Sequence, residues 1–227
     1  MLQLFYYLVL VLYFMKKRKI KRNNKLIYLF GLLLIILGLF LLFRDFYDEK
    51  EQEQLEKDSI EEYYDNVEIK ESEITYENKS IETQKKTTSK KTKKIDYVAV
   101  LKIPKINLTK GLVSKDNPLN NVKYGIEILA NSSMPDKEKT NLIVASHSGT
   151  ASISYFDKLD KLKINDNVFV DYKNKTYTYN IVNIYDVIKN GKVNLIYNKN
   201  KNNLILITCR RNTNKQIVII CELEEIK

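Results

Sequence analysis

The sequence predicts an all-β domain closed into a barrel, carried behind an N-terminal transmembrane helix and a charged stalk. Three observations predict it. From Ile95 onward, short runs rich in Val, Ile, Tyr and Thr alternate with Asn, Asp, Lys and Gly, the mark of many short strands. Leu26 to Phe43 reads LIYLFGLLLIILGLFLLF without a charge, and a bilayer's hydrocarbon core demands about 18 such residues. Between the two, residues 44–94 are acidic and then rich in Lys, Thr and Ser, with apolar residues too sparse to build a core.

The 227 residues suit one globular core plus accessory segments. Two cysteines, three prolines and six glycines exclude a disulfide scaffold and a collagen-like chain, and no paired Cys/His spacing suggests a structural metal. The formal charge of +10 would suit a nucleic-acid partner, but it is unevenly divided. Residues 16–25 hold seven Lys/Arg, residues 45–82 fifteen acids against four lysines, and residues 85–94 six lysines. The +7 that remains from Ile95 onward is twenty basic residues scattered among thirteen acids, with no basic tract, so no nucleic-acid partner is expected.

The apolar run lacks the polar face that a buried helix of a globular core would show. The cluster KKRKIKRNNK before it stays in the cytoplasm by the positive-inside bias, which places everything after Arg44 outside the membrane. No small-residue cleavage site follows Phe43, so the segment is expected to be a retained anchor. The first fourteen residues, MLQLFYYLVLVLYF, are apolar but short for a span; either translation starts at Met15 or a short extra membrane segment precedes the basic cluster. Residues 1–25 are therefore read as an apolar and basic cytoplasmic segment, 26–43 as the span, 44–94 as a solvated stalk helical in its glutamate-rich half, and 95–227 as the barrel.

Within the barrel the expected strands are Tyr97–Ile103, Leu108–Leu112, Asn141–Ser146, Asn167–Tyr172, Lys175–Val187, Leu204–Cys209 and Gln216–Leu223. Lys173 and Asn174 separate two alternating runs by two residues, a hairpin signature. One helical pattern stands out, Tyr155–Leu162, with Phe156, Leu159 and Leu162 on one face.

Two residues draw attention for chemistry. His147, the single histidine, follows an apolar strand in IVASHSGT, where small polar residues begin. Cys209 ends the apolar run NNLILITCRRN beside two arginines, and positive potential stabilises the thiolate that attacks carbonyls. Cysteine proteases and transpeptidases use such Cys and His partners, distant in sequence and close in space. Cys221 lies in IVIICELEEI, where Ile217, Ile219, Cys221 and Leu223 alternate onto one face, and reads as a core residue. A Cys209–Cys221 disulfide is the alternative, since the anchor puts the domain outside a reducing cytosol.

These residues resemble the sortase family. Leu206-Ile207-Thr208-Cys209 is similar to the end of its T-L-x-T-C signature, with Ile205 in the usual threonine place. Val144 to Gly149 resembles the segment that holds the family histidine, with Ser146 for glycine, and Leu101 to Ile106 resembles its I-P-K-I stretch. Tyr155 through Val168 is similar to the family's F-x-x-L-x-x-L-K-x-G-D-x-V, with Asn165 for glycine. The resemblance implies a barrel of about eight strands with one or two short helices. It implies that Cys209 is the nucleophile and His147 its acid/base partner, with no cofactor or metal. Its expected partners are surface proteins bearing a C-terminal L-P-x-T-G-like sorting signal, an amine of a peptidoglycan precursor or a pilin as acceptor, and the membrane of a Gram-positive-type bacterium. A non-catalytic, membrane-tethered β-barrel binding module is the alternative.

One position departs from the family. The arginine that sortases carry on the strand after the cysteine falls here on Lys215 or Gln216. Lys215 could supply the charge, Gln216 a neutral hydrogen bond, or Arg210 or Arg211 could reach in. Parity favours Gln216: Lys215 shares a face with apolar Ile217, Ile219, Cys221 and Leu223, whereas Gln216 shares one with Val218, Ile220 and Glu222, which leads toward solvent and the groove.

Overall fold

The computed structural model describes residues 24–74 and 95–227. The expectations for residues 1–23 and for the Lys-rich part of the stalk lie outside the described residues. The chain divides into two compact units, Met1–Asp48 and Glu49–Lys227.

Helix α1 runs over Asn24–Ile74. In the first unit its large apolar side chains from Tyr28 to Leu41 are exposed. Among the described residues no helix is long and apolar enough to cross a membrane. The span expected over 26–43 therefore rests on the sequence.

The second unit is built on one eight-stranded sheet: β1 (Tyr97–Ile103), β2 (Leu108–Val113), β3 (Glu127–Ile128), β4 (Asn141–Ala145), β5 (Asn167–Tyr172), β6 (Lys175–Ile188), β7 (Asn203–Cys209) and β8 (Lys215–Ile226). Its order is β2-β1-β5-β6-β8-β7-β4-β3, and the two edge strands approach each other, nearly closing a barrel. Seven of the strands follow the alternating runs read from the sequence to within three residues at each end. The eighth, β3, is two residues long, too short to leave an alternation.

The Lys173-Asn174 turn has φ of 48° and 60°, the left-handed pair that matches the twist of a two-residue hairpin between β5 and β6. Asn165 takes φ 72° where the family pattern has glycine, a conformation Asn tolerates better than most residues. The helix expected over Tyr155–Leu162 is a correction: only Leu159–Lys161 forms a short 3-10 helix. The Phe156 amide is drawn away to the His147 carbonyl, and the amides of Leu159 and Leu162 bond three residues back, not four. Phe156, Leu159 and Leu162 are still all buried.

Two apolar layers sandwich the β4–β7–β8 region. The barrel core takes Leu204, Leu206, Ile217, Ile219 and Cys221. The opposite face carries Ile143, Ile205, Ile207, Val218 and Ile220, against which Val193, Leu195 and Tyr197 of the β6–β7 connection pack. The Tyr185 hydroxyl pins that connection, donating to the Asn194 carbonyl at 3.1 Å and accepting from the Ile196 amide at 2.9 Å.

The acidic segment is helical, as expected, and from Glu49 to Ile74 it belongs to the second unit. Its sparse apolar residues are not idle: Leu55, Ile60, Tyr63, Tyr64 and Val67 recur at helical spacing and are partly buried. The Tyr63 hydroxyl donates to the Asp171 carbonyl at 3.2 Å, the Tyr64 hydroxyl to the Asp171 carboxylate, and the Asn174 amide to the Val67 carbonyl at 3.1 Å. The nearly buried Asp171 carboxylate also holds Lys102 at 2.5 Å and accepts from the Thr176 hydroxyl at 2.8 Å. Such a carboxylate needs these partners, since a buried charge without them is costly. Burial and the Asp171 charge push the Tyr63 hydroxyl up to about 12.

Candidate active site

The β4–β7 pair is parallel and its register is uniform, from Asn141 opposite Asn203 to Ala145 opposite Ile207. Each partner lies 62 residues from its mate. Extended by two residues on each chain, the register sets His147 opposite Cys209. Both follow the parity of Ile143 and Ile205, so the two residues end the outer apolar face and not the barrel core.

Backbone and side-chain bonds continue the pairing where the strands stop. The Ser146 amide donates to the Ile207 carbonyl at 3.4 Å, and the buried Thr208 hydroxyl donates to the Ser146 carbonyl at 2.7 Å. The Ser148 hydroxyl donates to the Cys209 carbonyl. Arg211 closes the series, donating to the Gly149 carbonyl at 2.6 Å and pairing with Asp157 at 3.4 Å. Residues 146–149 and 208–211 are thereby stitched along their length. The sequence reading named His147 and Cys209 within this arrangement and missed the hydroxyls. Their signal was there: Ser146, Ser148 and Thr208 flank His147 and Cys209 at strand ends, where such residues bond to backbone.

On the other side of β7, the antiparallel register sets Gln216 directly opposite Cys209. Opposite residues of an antiparallel pair share a face, so Gln216, partly buried, projects on the same side of the sheet as Cys209. Lys215 stands opposite Ile188 and is exposed; its carbonyl accepts from the Arg210 amide at 2.9 Å. Arg210 turns to Asp186, with Nε 2.5 Å from Oδ1. Of the four candidates for the missing arginine, Gln216 alone lies opposite the cysteine; Arg210 and Arg211 are engaged by carboxylates.

Cys209 is partly exposed and Cys221 is buried in the core, and both are free thiols. The alternative of a disulfide between them is not realised. Burial pushes the Cys221 thiol up, which suppresses its thiolate. A cavity of about 310 Å³ opens beside Cys209, lined by Ser148, Asp157, Asp160, Thr208 and Arg211 among others. Among the described residues no cluster of His, Cys, Asp and Glu suits a metal ion.

The sortase domain family matches residues 101–224, which include His147, Cys209, Lys215 and Gln216. Sortase C1 from Streptococcus agalactiae is similar at 28% identity with a TM-score of 0.50, over 57% of this chain and 68% of that one. A lid mutant of sortase A from Corynebacterium diphtheriae shares the fold at 22% identity and a TM-score of 0.50, over 57% and 70% of the two chains. No curated protein matches. With the family match spanning more than half of its length, the chain belongs to the sortase family.

Proposed function

We propose that this sortase is a membrane-anchored cysteine transpeptidase that cleaves a C-terminal L-P-x-T-G-like sorting signal and transfers the surface protein to an amine. The observation that supports it most is the placement of His147 and Cys209 in register at one end of an apolar face. An extended peptide entering the cavity beside Cys209 would bring its scissile bond to that end of the sheet.

In this reading the Cys209 thiolate attacks the carbonyl carbon between Thr and Gly, and the electron pair of the C=O bond moves to oxygen. The Gln216 amide, opposite Cys209, donates to that oxyanion, a contribution of about 3 kcal/mol in comparable sites. The intermediate collapses as the C–N bond breaks, and His147 gives its proton to the leaving amine. A thioester on Cys209 remains. An incoming amine from a cell-wall precursor or a pilin lysine attacks it, His147 takes up the amine's proton, and the thiolate leaves.

The anchor belongs to the same proposal. The uncharged run Leu26–Phe43 lies in one helix, its described large side chains are exposed, and seven basic residues precede it. It would hold the barrel at the outer face of the membrane, where both the exported substrate and a lipid-linked acceptor arrive.

The test is capture. Incubated with a sorting-signal peptide, the protein should gain the mass of the acyl fragment on Cys209, and an added amine should release it as a new amide. His147→Ala should slow both steps by about a hundred- to ten-thousand-fold. Absence of any adduct over a panel of such peptides would leave the binding-module alternative.

A further inference from the structure

The His147 side chain is exposed and has no hydrogen-bond partner among the described residues. Where its imidazole stands is therefore decided by what holds its backbone, and two of those holds converge on one ring. The amide of Phe156 donates to the His147 carbonyl at 3.1 Å, and Tyr155 is the residue before it. The Tyr155 ring also lies against Gly125, 3.7 Å from where a Cβ would stand. The Gly125 carbonyl in turn accepts from the Ser146 hydroxyl at 3.1 Å, one residue before His147.

The same ring also meets a side chain that helix α1 holds. The Lys110 ammonium sits 4.1 Å from the centroid of Tyr155, and Lys110 is ion-paired with Glu56 of α1. Both charged side chains are largely covered. Glu56 compensates a cation that would otherwise turn toward water, and so keeps it on the aromatic face, where a partly desolvated cation–π contact is strongest. Gln52, Leu55 and Glu56 of α1 line a cavity of about 260 Å³ together with Gly125 and Tyr155.

We propose that Tyr155 is a positioning residue for His147, and that α1, through Glu56 and Lys110, fixes where Tyr155 stands. This rests on the reading of His147 as the acid/base partner of Cys209. The segment that reads as a spacer then reaches into turnover: releasing the ring lets both backbone anchors of the histidine shift together. An imidazole displaced by a fraction of an ångström from the scissile nitrogen loses proton transfer while the peptide still binds.

The experiment uses the full chain in detergent micelles and exploits its single histidine, whose imidazole signals in a nitrogen-labelled sample need no assignment. Tyr155→Leu and Lys110→Met should move those signals and lower kcat by roughly ten- to hundred-fold with KM nearly unchanged. Tyr155→Phe, which keeps the aromatic face, should restore both readouts. Should Tyr155→Leu fail to fold by circular dichroism, Lys110→Met decides. Imidazole spectra that coincide with the wild type in a folded Lys110→Met protein would overturn the proposal, whatever its activity. Because the spectra are recorded without substrate, a shifted imidazole in a protein that transfers no peptide would support the positioning role and refute only the transpeptidase reading.

Discussion

The Thr208 hydroxyl donates to the Ser146 carbonyl at 2.7 Å, out of contact with solvent, and the residues that follow them are Cys209 and His147. Ladder hydrogen bonds between β4 and β7 end at this level. The bond therefore replaces the ladder where pairing would otherwise fray, and it fixes the distance between two backbones whose next side chains are His147 and Cys209.

Thr208→Val keeps the shape and removes the donor, leaving a buried carbonyl unsatisfied. We expect a loss of about 1–3 kcal/mol in stability by urea denaturation, with a further fall in thioester formation. Stability falling with no change in acylation rate would show that the strand ends hold their spacing without this bond.

Thiol reactivity separates the two cysteines. An alkylating reagent should modify Cys209, partly exposed, and spare Cys221, which is fully buried with its thiol pushed up. Peptide mass mapping reads the result. Cys209→Ala should abolish peptide cleavage and Cys221→Ala should leave it nearly intact, and equal losses in both would mean that the nucleophile is misassigned.

Gln216→Ala should lower turnover by more than about ten-fold, since one donor to a developing oxyanion is worth on the order of a hundred-fold. Lys215→Ala, Arg210→Ala and Arg211→Ala should each cost less. Gln216→Arg should retain or raise activity, because a charged donor bonds an oxyanion more strongly than an amide. If Arg211→Ala proves the most damaging of the set, the oxyanion is held from the β7–β8 turn.

Docking of α1 should depend on pH through Glu56. Desolvation raises its pKa above the ordinary carboxylate value, outweighing the opposing pull of Lys110. A carboxyl whose folded pKa is raised binds its proton more tightly when docked. Its contribution is thus fully present below the ordinary value and is lost as pH rises through the raised one. Urea midpoints should fall as pH rises above the ordinary carboxylate value, and Glu56→Gln should flatten that part of the slope. A slope unchanged in Glu56→Gln would assign it to other carboxylates.

How much of this was legible depended on period. The alternation of Ile217, Ile219 and Cys221 against Val218 and Ile220 was enough to aim Gln216 at the side of Cys209, because a strand's period of two leaves no third choice. Strand limits in the barrel were legible for the same reason. The Tyr155–Leu162 helix was misjudged because apolar spacing reports which residues are buried and not which carbonyl each amide reaches; Phe156 reaches His147, a partner 9 residues away. The stripe Leu55, Ile60, Tyr63, Tyr64 and Val67 was overlooked because glutamates surround it, and mean composition hides a face only a few residues wide. Nothing local in sequence links Glu56 to Lys110 or Tyr64 to Asp171, which only the fold brings together.

The β4–β7 pair is the one parallel pairing in the sheet, and β7 lies between β8 and β4. Hairpins such as β5–β6 can zip from a two-residue turn, whereas β7 must close a long loop before its first bond with β4 forms. Loop-closure entropy therefore places the meeting of these two strands late in folding. On the proposed mechanism, a thiol that gains its imidazole neighbour only then would be chemically ordinary in the unfolded chain and acquire its reactivity after the barrel has closed. Pulsed alkylation during refolding would follow this directly, with Cys221 protected first and Cys209 activated last.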